Sequence, residues 1–289
     1  MQKVALGTAN FGSHYGIQNY DGKLSSDVVA KIMQVAFKSG IRILDTASAY
    51  GDCHEVLGKI GTNGWEIVSK IPTIPADCKD VTGFLTNNFE KTLENLQVER
   101  IHGLLLHNSG DLLARYSDEV FSCLKGLRSQ QLVSKVGISI YDPGCLWDIT
   151  GRYEIDLVQA PINVIDNQID ESGWLDRLAN LGIEFHARSI FLQGLLLSPE
   201  IQANKFFSQW DSLFLDFNNW VRHSKESALE KCLSHVRSFK NVSCILVGVD
   251  NVEQVCDVVA AMNHKPARAP SFTSHDLATL INPSRWSTT

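Results

Sequence analysis

Short apolar runs recur along the chain with room for a helix between each pair: VALGT at 4–8, IRILD at 41–45, WEIVSK at 65–70 and HGLLLH at 102–107. The second half continues with SKVGIS at 134–139, DLVQAP at 156–161, IEFHARS at 183–189 and SCILVGV at 243–249. These runs are near-continuously hydrophobic rather than alternating, the mark of parallel strands covered on both faces. Between them the period lengthens. Over 26–39, Val28, Val29, Ile32, Val35 and Ala36 share one helical face, Ser25 or Ser26 can cap, and Gly40 stops the run. Residues 82–96 and 117–129 read the same way.

Eight strands alternating with helices predict a (β/α)8 TIM-type barrel, α/β in class, forming one domain over 1–289. No Pro/Gly/Ser-rich linker divides it. The 199–240 stretch, with Trp210, Phe214, Phe217 and Trp220, reads as an insertion plus a long helix beside the mouth, and 264–289 as a C-terminal tail. The alternative is a doubly wound open sheet, but GTANFG after the first strand lacks the GxGxxG spacing of a dinucleotide turn.

Composition narrows the class further. Hydrophobic residues are 44% and charged residues 20%, ordinary globular usage, and no apolar run approaches the roughly 18 residues of a membrane span. No secretory signal is visible, so the cytoplasm is the expected location. Net charge is −6, with basic residues scattered rather than striped, so nucleic acid is not an expected partner. Seven cysteines without CxxC spacing read as reduced thiols rather than a disulfide or zinc framework. No sequence feature indicates an oligomeric state.

The chemistry gathers where the strands stop. Asp45 ends the second run with Tyr50 on the loop after it; Lys70 ends the third and His107 the fourth. In a parallel barrel all strand ends of one sense meet at one face, so an acid, a phenol, an amine and an imidazole converge. That set suits proton exchange with a carbonyl oxygen: Tyr50 as acid, Lys70 easing its ionisation, Asp45 keeping the lysine charged, His107 orienting the carbonyl. Taken singly each has a plainer reading: a loop tyrosine, a structural Asp–Lys pair, a strand-end histidine. Other uses are open as well. Lys70 could form a Schiff base in a lyase or aldolase. The barrel could be a catalytically weak cofactor sensor. Asp45, His107 and His186 could hold a metal, though no HxH or ExxH spacing concentrates ligands and none is expected; His186 and His54 read as core or surface residues.

With those residues in place, the sequence resembles the aldo-keto reductase superfamily over nearly its whole length. The most specific piece is GIRILDTASAYGDCHEVLGK at 40–59, followed by KTLENLQVERIHGLLLH at 91–107. The resemblance implies an NADP(H)- or NAD(H)-dependent oxidoreductase acting on a small carbonyl or sugar-like substrate, with Tyr50 as proton donor and Asp45, Lys70 and His107 around it. It implies cofactor contacts from Gly7, Thr8 and Ala9 at the first strand end, Ser139 and Gln159 at the nicotinamide amide with Asn163 shortly after, and Ser189, Leu192, Gln193 and Gly194 at the pyrophosphate. Gly248, Val249, Asp250, Asn251 and Gln254 would embrace the adenosine end.

Three departures stand out. Ser139 is followed by Ile140 where many members have asparagine. Gly248 and Gln254 stand where many grip a 2′-phosphate with lysine and arginine, and Asp250 would repel that phosphate, which points to weakened NADPH preference or NADH use. The chain starts almost at its first strand, so the hairpin that usually plugs the barrel bottom is expected to be short or missing. Substrate-facing loops are expected at 13–21, 72–80, 108–116, 199–223 and 272–289, with Trp210, Phe214, Trp220 and Trp286 read either as a stacking wall or, equally, as packing, and Asp111, Arg115, Arg188 and Arg285 favouring a polar or anionic substrate.

Overall fold

A computed structural model describes residues 2–14, 16–17 and 22–286. Tyr15 and residues 18–21 of the first expected loop, and residues 287–289 of the tail, lie outside the described residues. Eight parallel strands, β1 Lys3–Gly7, β2 Ile43–Asp45, β3 Glu66–Ile71, β4 Ile101–Leu106, β5 Val133–Ser139, β6 Leu157–Pro161, β7 Glu184–Arg188 and β8 Cys244–Gly248, close into a barrel in chain order. β1 pairs with both β2 and β8, which completes the ring and removes sheet edges.

Two cores follow from the strand period of two. Ala5, Ile43, Val68, Leu105, Leu157, Cys244 and Leu246 fill the barrel interior, while the intervening residues pack outward under the helices. The same parity sets what happens at the strand ends. Two residues beyond Ala5, Ile43, Val68, Leu105, Leu157 and Leu246 come Gly7, Asp45, Lys70, His107, Gln159 and Gly248, so these occupy the layer above the apolar plug. His186 pairs with Gln159 and Cys244 in register and therefore faces in, which puts Arg188 in that upper layer too.

The helices form as their patterns require. In Ser26–Lys38 the Ser25 hydroxyl accepts from the Val28 N–H, Asp27 and Lys38 complement the dipole, and Val29, Ile32, Met33 and Ala36 are buried. Val81–Leu96 and Ser117–Ser129 match the expected helices. The 199–240 segment holds no single long helix: Pro199–Gln202 is followed by Asp211–Arg222 and Ala228–Arg237. A capping box at Ser227 and Glu230 starts the last of these, because a fresh N-terminus there satisfies its own donors. The aromatics of this segment pack rather than line a wall. Trp210 is fully buried with its Nε1 donating to the His275 carbonyl, Phe214 is buried, and Trp220 packs against the rings of Phe217 and Phe272. Trp286 packs edge-on against Phe207 at 5.1 Å. Among the described residues no helix is long and apolar enough to cross a membrane.

Candidate active site

Asp45 is the hub of the upper layer. Its Oδ1 accepts from Lys70 Nζ at 2.6 Å and its Oδ2 from Gln159 Nε2 at 2.7 Å, while Lys70 Nζ also donates to the Thr46 carbonyl at 3.0 Å. Lys70 and Asp45 are 1% and 4% exposed, so the pair survives burial only because each partner satisfies the other. Thr8 fixes the Asp45 backbone, its N–H and hydroxyl both donating to the Asp45 carbonyl.

Tyr50 reaches this pair from the loop between β2 and the helix Cys53–Ile60. Two glycines set its position. A Cβ on Gly12 would meet the Tyr50 carbonyl at 2.0 Å, and one on Gly51, held at φ +59°, would meet the Gly12 carbonyl at 2.1 Å. The backbones therefore touch where side chains would hold them apart. The Tyr50 ring lies 5.5 Å from Lys70 Nζ and meets the His107 ring edge-on at 6.0 Å.

Burial first, and Asp45 second, push the Tyr50 phenol above its ordinary range, with Arg188 pulling the other way. Desolvation thus outweighs the easing of ionisation expected from a nearby ammonium, and the phenol stays protonated. Burial, with Lys70 and Arg188 adding repulsion, pulls His107 down to about 4, so its imidazole is neutral at ordinary pH and carries one N–H.

Tyr50, His107 and Asp45 line a cavity of about 600 Å³, within the range of small-molecule sites. Gly7, Thr8, Ala9, Ser139, Gln159, Ser189, Gln193, Gly194, Gly248, Val249, Asp250 and Gln254 line it as well. Two expected contributors do not. Leu192 turns into the hydrophobic core, and Asn251 caps the helix Val252–Ala261, accepting from the Gln254 N–H at 2.9 Å. Asn163 accepts from the N–H groups of Ile165 and Asp166 and donates to the Ser189 carbonyl, which ties down the β7 loop.

That loop is strained: Ser189, Leu192 and Gln193 have φ of 56°, 47° and 53°, the left-handed region non-glycine residues avoid. Such strain clusters at binding sites, where the surroundings enforce it. At the far end of the cavity Asp250 is held by two neighbours. Its Oδ1 accepts from Asn10 Nδ2 at 2.8 Å, and its N–H donates to Gln254 Oε1 at 2.7 Å. Asn10 was not among the expected contacts, which stopped at Ala9; the polar residue next to Gly7, Thr8 and Ala9 was the available signal. Among the described residues no cluster of three or more His, Cys, Asp or Glu is placed to hold a metal.

A closed parallel barrel whose strand-end layer surrounds such a cavity defines an α/β-barrel enzyme scaffold. The aldo/keto reductase family model matches residues 3–276, and the chain belongs to this family. It is an oxidoreductase on that ground. Solved structures agree in fold. The aldo-keto reductase AKR11C1 from Bacillus halodurans, in its holo form, superposes with a TM-score of 0.77 at 17% identity, covering 92% of this chain and 88% of that one. The glycerol dehydrogenase AKR11B4 from Gluconobacter oxydans gives 0.70 at 18% identity, covering 96% of this chain and 89% of that one. A search of curated proteins finds no significant match.

Proposed function

We propose that this oxidoreductase reduces a small carbonyl compound with NADPH or NADH, Tyr50 giving the proton. The observation that carries the reading is the placement of a protonated phenol and a neutral imidazole on one cavity wall, with a buried Asp45–Lys70 pair behind them.

The cavity fits a dinucleotide in its own terms: it runs from Tyr50 and His107 past the strained loop after β7 to the helix start at Asp250 and Gln254. Gln159 donates its amide N–H to Asp45, which leaves its carbonyl oxygen for an amide N–H of the cofactor. The bound cofactor supplies the hydride to the carbonyl carbon. The chain does the rest. His107, neutral, donates a hydrogen bond to the carbonyl oxygen and orients it. As negative charge builds there, Tyr50 Oη transfers its proton, and the phenolate that remains is stabilised by the cations Lys70 and Arg188 until it regains a proton from solvent. Asp45 acts on Lys70 rather than on substrate, holding the ammonium charged and in place.

Asp250 supports use of NADH. Its carboxylate would accept from a ribose 2′-hydroxyl and repel a 2′-phosphate, with Gln254 adding no positive charge. The cytoplasm remains the expected compartment, and a soluble carbonyl or sugar-like compound the expected partner. A Schiff-base reading loses ground because the Lys70 amine is sealed behind Asp45 and the Thr46 carbonyl. Borohydride trapping of substrate on Lys70 is expected to fail.

Titration of the protein with NADPH and NADH, followed by nicotinamide fluorescence, tests the reading. Saturable binding of both is expected. Binding of neither overturns it, and an NADPH affinity more than about a hundredfold above that for NADH removes Asp250 from any part in cofactor choice.

A further inference from the structure

Of the four charged residues that the sequence offers to a polar or anionic substrate, the structure sets one apart. Asp111 is buried and accepts from the Ile74 N–H at 3.4 Å and the Tyr116 hydroxyl at 3.3 Å. Arg115 and Arg285 contribute nothing to the cavity wall. Arg188 ends β7 in the upper layer of the barrel and shares the cavity wall with Tyr50 and His107.

Its guanidinium is fixed but not neutralised. Nη2 donates to the Ile140 carbonyl at 2.9 Å, Nη1 donates to Ser189 Oγ at 3.1 Å, and the group lies 4.1 Å from the Tyr141 ring centroid. All three partners are uncharged. Two of its five N–H groups are thus engaged, and among the described residues it makes no ion pair. Arg128, Arg152 and Arg268, by contrast, pair with Asp156, Asp118 and Asp170. Asp166 lies within reach of its field, yet that buried carboxylate accepts from Gln168 instead. Lys70 is already matched by Asp45. One positive charge in the site therefore has no counterpart, and it belongs to the side chain whose planar fork best suits a carboxylate or phosphate.

We propose that Arg188 determines specificity by receiving an anionic group of the substrate, a carboxylate or phosphate carried a few bonds from the carbonyl. The inference rests on the reductase reading above. The other source of an anion is the cofactor's own phosphates. Position favours the substrate, because Arg188 shares the cavity wall with Tyr50 and His107, the groups that meet the carbonyl, while the Asp250 end of the cavity lies beyond the end of β8.

The test compares 4-carboxybenzaldehyde with benzaldehyde on the cofactor-saturated protein. The wild type is expected to favour the carboxylate by roughly tenfold or more in kcat/KM, the scale of one charge-assisted contact. Arg188→Gln should bring that ratio close to unity, and Arg188→Lys should keep part of it. Benzoate, followed by calorimetry, should bind the loaded wild type and lose affinity in Arg188→Gln. Cofactor titration of each variant separates the two sources of anion. A ratio unchanged in Arg188→Gln together with weakened cofactor binding assigns the charge to the cofactor and overturns the inference. Turnover of both aldehydes by the wild type without a carboxylate preference overturns the inference alone. No turnover of either aldehyde overturns the reductase reading and this inference with it.

Discussion

At the lower end of the barrel Lys3 pairs with Glu66 at 3.4 Å, and Glu184 takes both Lys135 and, at 3.2 Å, the ring of His186. At the upper end Asp45 takes Lys70 and Gln159, but Tyr50, His107 and Arg188 face a cavity. Both ends are rich in ionisable side chains. They differ in where the side chains turn: below, acidic and basic groups answer one another, while above, Tyr50, His107 and Arg188 line a cavity. A strand-end charge therefore does not mark a site; one that turns into a cavity does. The Lys3–Glu66 pair, exposed on both sides, is the weak kind, worth about 0–1 kcal/mol. The upper pair is buried, and breaking it strands a charge.

Lys70→Met should show that difference most strongly. Removing the ammonium leaves Asp45 charged and buried, a loss of about 3–5 kcal/mol in urea unfolding, and Asp45→Asn in the same chain should restore most of it. Recovery of little stability by the double variant would mean that the two groups do not act as a pair.

Gly12→Ala comes next. Its Cβ would meet the Tyr50 carbonyl at 2.0 Å, so the loop must move, at a cost of about 1–3 kcal/mol and a turnover loss of tenfold or more as the phenol shifts. A variant of unchanged melting temperature and rate would show that the close approach does not position Tyr50.

Acid should weaken the fold through its buried imidazoles. His54, His107 and His235 are pulled by burial from 6.5 to about 4, so the unfolded chain binds more protons over that interval and stability falls as pH drops through it. Asp166, raised to about 6 by burial, opposes this, since the native chain holds its proton first. With His102 lowered and Asp111 raised by burial as well, four imidazoles stand against two carboxyls, which leaves a net loss, measurable as a lower urea midpoint at about pH 4.5 than at about pH 7. A flat midpoint would contradict it. The smallest effect belongs to the lower end: Lys3→Ala should cost no more than about 1 kcal/mol and leave kcat/KM unchanged.

Much of the upper end was legible in the sequence because strand periodicity is local. The apolar runs located all eight strands, and their ends brought Asp45, Lys70 and His107 to one face, while Gln159 came only from the family resemblance. β2 is shorter than its run, because the Ile41 N–H goes back to the Ala36 carbonyl to close the preceding helix. What was not legible depends on contacts distant in sequence. Trp210 is core with its indole reaching His275 in the tail, and Phe214 is buried against Phe207. The upward push on Tyr50 needed its burial, which no residue spacing reveals. Asn10 meets Asp250 only because β1 and β8 close the ring. Leu192 illustrates the same limit in a loop: a left-handed backbone turned its side chain inward.

The measurement closest to the central claim is a single turnover of cofactor-loaded Tyr50→Phe with an aldehyde, beside a cofactor titration of the same variant. A hydride-transfer rate at least about 100-fold below wild type is predicted, with cofactor affinity retained, since only the transferable proton is gone. A rate within a few fold of wild type would contradict it and take the proton from another group on the cavity wall.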